Sequence, residues 1–193
     1  MEFTLKDTSS SDAAALRATA SSFDAVRGKL PIAGDPDRPL DGVTVGRQLS
    51  AVGMLLADLG DEVLFRAADQ RRDGHTGPAI MGFAAAVRPA CQAASALAAA
   101  AHRLSARDQS KHLGDEPVPE EYDQLVMGNA LGIADEALRK TSEGLRAAAA
   151  AISPSSARAE AARSRSTTAA PPPTPPPPAV PPAAPPYRIA RGR

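Results

Sequence analysis

The chain has 193 residues, balanced formal charge, one cysteine, no tryptophan and only six aromatic side chains. One cysteine excludes an intrachain disulfide framework and a cysteine-only zinc site. The charge is uneven: residues 153–193 hold six Arg (158, 163, 165, 188, 191, 193) against Glu160, while residues 1–152 hold sixteen basic and twenty-one acidic side chains. An acidic body followed by a basic tail is the first division of the chain.

Alanine runs such as Ala84–Ala86, Ala98–Ala101 and Ala147–Ala151 favour helix, because alanine loses no side-chain entropy there. Strand-favouring residues are scarce. The first helix is expected over 11–30, with Ala13, Leu16, Ala20, Phe23, Val26 and Leu30 on one face, and Ser9–Ser11 and Asp12 supplying its cap and negative first turn. Pro31, Gly34, Pro36, Pro39 and Gly42 make the following stretch a loop.

The second helix is expected over 44–69. Val45, Leu49, Val52, Leu56, Leu59 and Val63 alternate in steps of four and three, the heptad seam of a coiled-coil-like packed helix. These six are the candidate interaction residues. Gly46, Gly53 and Gly60 recur every seven residues and suggest a close helix approach. Gly77–Pro78 marks a stop and a new start.

The third helix is expected over 78–105, with Ile80, Phe83, Val87, Ala90, Ala94, Leu97, Ala101 and Leu104 as its seam. Pro89 removes a backbone hydrogen bond inside it and predicts a kink or a break. Cys91 reads as a small buried thiol. The fourth helix, over 119–152, opens at Pro119 with acidic residues behind it. Its seam is Met127, Leu131, Ala134, Leu138, Thr141, Leu145, Ala148 and Ile152. Eleven prolines between 171 and 186 set residues 153–193 apart as a disordered, proline-rich tail, either a spacer or a ligand for an aromatic groove.

The fold expected is therefore all-α: an antiparallel four-helix bundle over 1–152 with a disordered tail. The alanine-rich seams bury little area per residue, which makes self-association or a helical partner the expectation. Three tail arginines near the end, without interleaved aromatics, do not amount to a nucleic-acid site. His75, His102 and His112 lack metal-ligand spacing on any one helix. No cofactor, phosphate loop or small-molecule substrate is indicated, no segment is apolar enough to span a membrane, and a cytoplasmic location is the default.

Two resemblances qualify this reading. Arg107-Asp108-Gln109-Ser110-Lys111-His112 resembles the Arg-x4-His motif of HEPN ribonucleases, which are helical bundles. The resemblance implies Arg107 and His112 as a metal-independent RNA-cleaving pair. Histidine as general acid or base and arginine as charge stabiliser suit that chemistry, although here the motif is expected at a helix end. Ala13-Ala14-Ala15-Leu16-Arg17-Ala18-Thr19-Ala20-Ser21-Ser22-Phe23-Asp24, through Leu30, resembles the first helix of actinobacterial type VII secretion-associated proteins of the Trp-x-Gly kind. The Trp-x-Gly turn itself is absent. That resemblance implies helix pairing rather than catalysis, and export without a classical signal peptide. The function expected from the whole is a non-enzymatic helical protein–protein interaction module, with a HEPN-like ribonuclease and a secretion-associated protein as alternatives.

Overall fold

A computed structural model of the chain describes residues 2–32, 35, 37, 40–73, 76–113 and 120–153, excepting the side chains of 2–8, 71–73 and 120. Residues 154–193, and with them the proline-rich tail, lie outside the described residues, as do His75 and Pro119. Four helices account for nearly all the rest: α1 (Glu2–Arg27), α2 (Gly42–Asp73), α3 (Gly77–Leu113) and α4 (Glu120–Ile152). Among the described residues no helix is long and apolar enough to cross a membrane.

α4 ends at Ile152 as expected, whereas α1, α2 and α3 differ from their expected bounds, mostly because a helix runs until a true breaker intervenes. α1 begins at Glu2 rather than near Ser11. Ser9–Ser11 therefore lie inside the helix and do not cap it. It closes by Gly28 N–H to Asp24 O at 2.8 Å and Leu30 N–H to Arg27 O at 3.1 Å, which tucks Leu30 into the core. α2 starts behind a clear cap: the Asp41 carboxylate accepts the Thr44 N–H at 2.7 Å, satisfying a donor the first turn leaves free. That bond holds the Asp41 carboxyl below its ordinary range. α3 runs through Pro89 without a break. It also extends past residue 105, because residues 106–113 contain neither glycine nor proline and Lys111 and His112 suit the negative end of its dipole.

The helices run up and down. Gly82 of α3 lies against Ala148 of α4, while Arg103, further along α3, bonds Asp123 at 2.8 Å, earlier in α4. Opposite order along the two helices means antiparallel packing. Leu16 of α1 shares the Gly82–Ala148 contact, and Arg27 bonds Asp135 at 2.7 Å, so α1 also opposes α4. The helices occupy the corners of a square in chain order, an antiparallel four-helix bundle. The α1–α2 edge is the loose one: α2 packs chiefly on α3, and α4 holds both α3 and α1.

Phe23, Phe83, Leu16, Leu59, Leu97, Leu104, Met127, Leu138 and Leu145 fill the centre. On α3 the leucine–phenylalanine stripe Phe83, Ala90, Leu97 and Leu104 is joined by a second buried stripe at Ala79, Ala86, Ala93 and Ala100. A helix gripped from two sides buries two adjacent stripes. Ala79, Ala86, Ala93 and Ala100 thus form a seam beside the expected one. Cys91 is exposed, contrary to the buried thiol expected, because it follows buried Ala90 and is rotated about 100° away from it. Two buried polar groups of α4 are satisfied within the helix: Thr141 Oγ1 donates to Ala137 O at 2.8 Å, and Ser142 Oγ to Arg139 O at 3.0 Å.

Candidate interaction surface

The six residues of the α2 seam line the bundle's own interior. Val45, Val52 and Leu59 are fully buried, and Leu49, Leu56 and Val63 pack against them. They hold α2 onto its neighbours and leave a different face of the helix exposed.

That face is the opposite side of α2. Val43, Met54 and Phe65 are 63%, 62% and 65% exposed, with Leu64 beside them at 70%. Val43, Met54 and Phe65 stand eleven residues apart, three helical turns, and so fall on one line down the outside of the helix. The three glycines behave contrary to expectation. A Cβ added at Gly46, Gly53 or Gly60 meets nothing within 4 Å. They flank the exposed line and face open space, and the close approach they suggested occurs elsewhere, at Gly82 against Ala148.

Where α2 faces α1 the loose edge opens into a groove of about 470 Å³, with Thr19 and Ser22 on one wall and Leu55, Asp58, Asp61 and Phe65 on the other. Thr19 and Ser22 turn their hydroxyls back onto the α1 carbonyls of Ala15 and Ala18, at 3.0 and 3.3 Å, which leaves that wall short of free donors. Asp58 and Asp61 have no ion-pair partner among the described residues, so the groove carries uncommitted negative charge. Its closed end is a buried polar cluster. Arg66 Nε bonds Asp12 Oδ1 at 2.9 Å, its guanidinium also pairs with Glu62, and its Cζ lies 4.5 Å from the Phe83 ring centroid. Thr76 Oγ1 donates to the Arg66 carbonyl at 3.0 Å, tying the start of α3 to the same point. Asp12, expected in a helix cap, is thus an interior partner of α2. No side-chain nitrogen or oxygen of the cluster is buried without a hydrogen bond, and the cluster pins three helices together.

Most of the remaining ion pairs among the described residues involve α4. Arg139 reaches both Glu136 and Glu143 at 2.7 Å, and its hydrogen bond holds the Glu136 carboxyl at about 2. Arg146 reaches Asp24 of α1. Asp24 is pulled up by burial but pushed further down by hydrogen bonds from Arg146 and Ser142, ending below its ordinary value. The Arg146–Asp24 and Arg27–Asp135 pairs tie α1 to α4.

The Arg107–His112 pair is carried by the last two turns of α3, at the helix end expected. Arg107 is half-buried and His112 exposed. Five residues separate them, a rotation of about 140° round the helix, so they do not share a face. Arg107 Nε is buried without a hydrogen bond, and 3.6 Å from Asp108. His102 is exposed higher on the helix. Among the described residues no group of three His, Cys, Asp or Glu side chains is arranged to hold a metal ion.

These observations define the class: an all-α, antiparallel four-helix bundle with a closed interior, an acidic groove on one edge and an apolar line on the outside of α2. No protein-family model, curated protein or solved structure matches the chain.

Proposed function

We propose that this chain is a non-enzymatic helical protein–protein interaction module that meets a helix of its partner along the outward face of α2. The observation that carries the reading is the line of exposed large side chains on α2, Val43, Met54 and Phe65. Isolated apolar residues are normal on any surface, but a row of them on one element marks a binding face. A helix with such a row fits another helix laid alongside it, since anchors recurring at whole turns are how helical partners are read. The groove at the α1–α2 edge adds a charged margin to the apolar centre, the arrangement of a recognition patch with a polar rim.

Site-specific photocrosslinking tests this in cells of the source organism. A photoreactive residue at position 54 gives a covalent adduct with another polypeptide. The same residue at Ala98, exposed on α3, gives none. An unmodified chain at position 54, or equal adducts at both positions, overturns the reading.

A further inference from the structure

The outward row of α2 contains more than its apolar members. Val43, Arg47, Ser50, Met54, Asp58, Asp61 and Phe65 follow one another in steps of 4, 3, 4, 4, 3 and 4 residues, and all seven are exposed. Each eleven-residue advance completes three turns with a drift of only about 20°, so the row runs almost straight along the helix. The spacing is symmetric about Met54. The chemistry is complementary about the same point: Val43 mirrors Phe65, Arg47 mirrors Asp61, and Ser50 mirrors Asp58.

We propose that a second copy of this chain docks on that row, with the two α2 helices antiparallel about a two-fold axis at Met54. This rests on the reading of α2 as the interaction face and names its occupant. In an isologous pair, residue i meets j and j meets i. Met54 then meets the second copy's Met54, Val43 packs on its Phe65, Arg47 faces its Asp61, and Ser50 faces its Asp58. Each cross-pair occurs twice.

The charges decide the orientation. A parallel pair in register sets Arg47 on Arg47, Asp58 on Asp58 and Asp61 on Asp61, three like-charge contacts. Sliding the antiparallel pair by one turn separates Arg47 from Asp61 and takes Met54 off the axis. Only the centred antiparallel register brings each Arg47 to an Asp61 and each apolar side chain to another, and such patterning selects one arrangement against the rest. The groups are also free to take part. Arg47, Asp58 and Asp61 form no ion pair among the described residues, and the Asp41 carboxylate near Arg47 is already held by the Thr44 N–H.

Sedimentation equilibrium on the full chain at low salt, with circular dichroism to confirm folding, tests the pairing. The unaltered chain dimerises. Arg47→Asp and Asp61→Arg, both exposed changes, each weaken the dimer at least about tenfold by setting like charges together. The variant carrying both changes dimerises again, and an equimolar mixture of the two single variants forms a heterodimer, since each then offers the charge the other lacks. A chain that stays monomeric, a single reversal without effect, or a mixture that does not pair overturns the proposal. A monomeric chain that crosslinks from position 54 to a different polypeptide overturns the second copy as occupant but keeps α2 as the interaction face. A monomeric chain with no adduct overturns both.

Discussion

A Cβ placed on Gly82 would stand 2.7 Å from the Cβ of Ala148, with a methyl of Leu16 at 3.3 Å. Three helices meet at that point, and neither Cβ can swing aside as the end of a long side chain would. α3 and α4 come this close only because one partner lacks a side chain. Gly82→Ala gains about 1 kcal/mol of helix propensity but incurs overpacking of about 1–3 kcal/mol, leaving a net loss of up to about 2 kcal/mol. Gly144 on α4 has nothing within 4 Å of an added Cβ, so Gly144→Ala stabilises by about 1 kcal/mol. Urea denaturation of both variants checks the contrast, and equal stability would show that the α3–α4 contact is looser than this geometry.

Arg66 and Asp12 form the second fixed point. Their side chains are 7% and 11% exposed, so removing one leaves the other charged and buried. Arg66→Ala is expected to destabilise the bundle by about 3–5 kcal/mol, as is usual when one member of a buried pair is lost. The double variant Asp12→Leu with Arg66→Met keeps volume and removes both charges. It should recover most of that loss, because apolar replacements of buried pairs are often neutral. A double-mutant cycle followed by chemical denaturation measures the coupling. Additive losses would mean that the cation over Phe83, and not the ion pair, supplies the contribution of Arg66.

The bundle was legible in the sequence where apolar residues recur at steps of three and four. Leu16, Phe23, Val45, Val52, Leu59, Leu97 and Leu138 all lie inside, as their spacing requires. What periodicity could not settle was the role of small and charged residues, whose burial depends on which neighbour lies opposite. Alanine carries too little apolar weight to distinguish Ala86 and Ala93, which are buried, from Ala84 and Ala85, which are not. Gly46, Gly53 and Gly60 have a packing rhythm but no intrachain partner, whereas Gly82 has no rhythm and a close one. Asp12 read as a cap because its partner Arg66 is fifty-four residues away. The outward row of α2 was hidden for a different reason. Its eleven-residue period is mixed apolar and charged, and the heptad seam on the other side of the same helix dominates any count of apolar positions.

Acid should weaken the fold through a small set of surface carboxylates. Glu136 is held at about 2, from an ordinary 4.5, by its hydrogen bond from Arg139. Asp41 is lowered by the Thr44 N–H, and Asp24 is lowered despite its burial by Arg146 and Ser142. A carboxyl whose folded pKa is depressed contributes stability above its ordinary pKa and loses it as pH falls through the folded value. The urea midpoint is therefore expected to be flat from neutral pH to about pH 5, then to decline progressively toward about pH 2. The decline is modest, because exposed pairs are screened by solvent. Arg139→Gln should flatten the Glu136 part of the curve. A midpoint that rises on acidification would contradict these assignments.

Arg107 and His112 provide the sharpest test against catalysis by this chain. Metal-independent RNA cleavage needs a proton-transferring group and a cation converging on one phosphate. Here the arginine is half-buried with its Nε turned inward, while the histidine projects from another side of the last helical turn. Neither lines the α1–α2 groove. Incubation with an unstructured RNA should give the same background cleavage for the unaltered chain and for His112→Ala, with the helical content of both unchanged. Cleavage by the unaltered chain that disappears with that single change would mean that the two side chains converge in a state other than this one, and the non-enzymatic reading would have to be abandoned. The assay is informative because His112 is exposed and its replacement disturbs no packing, so lost activity could not be blamed on lost structure.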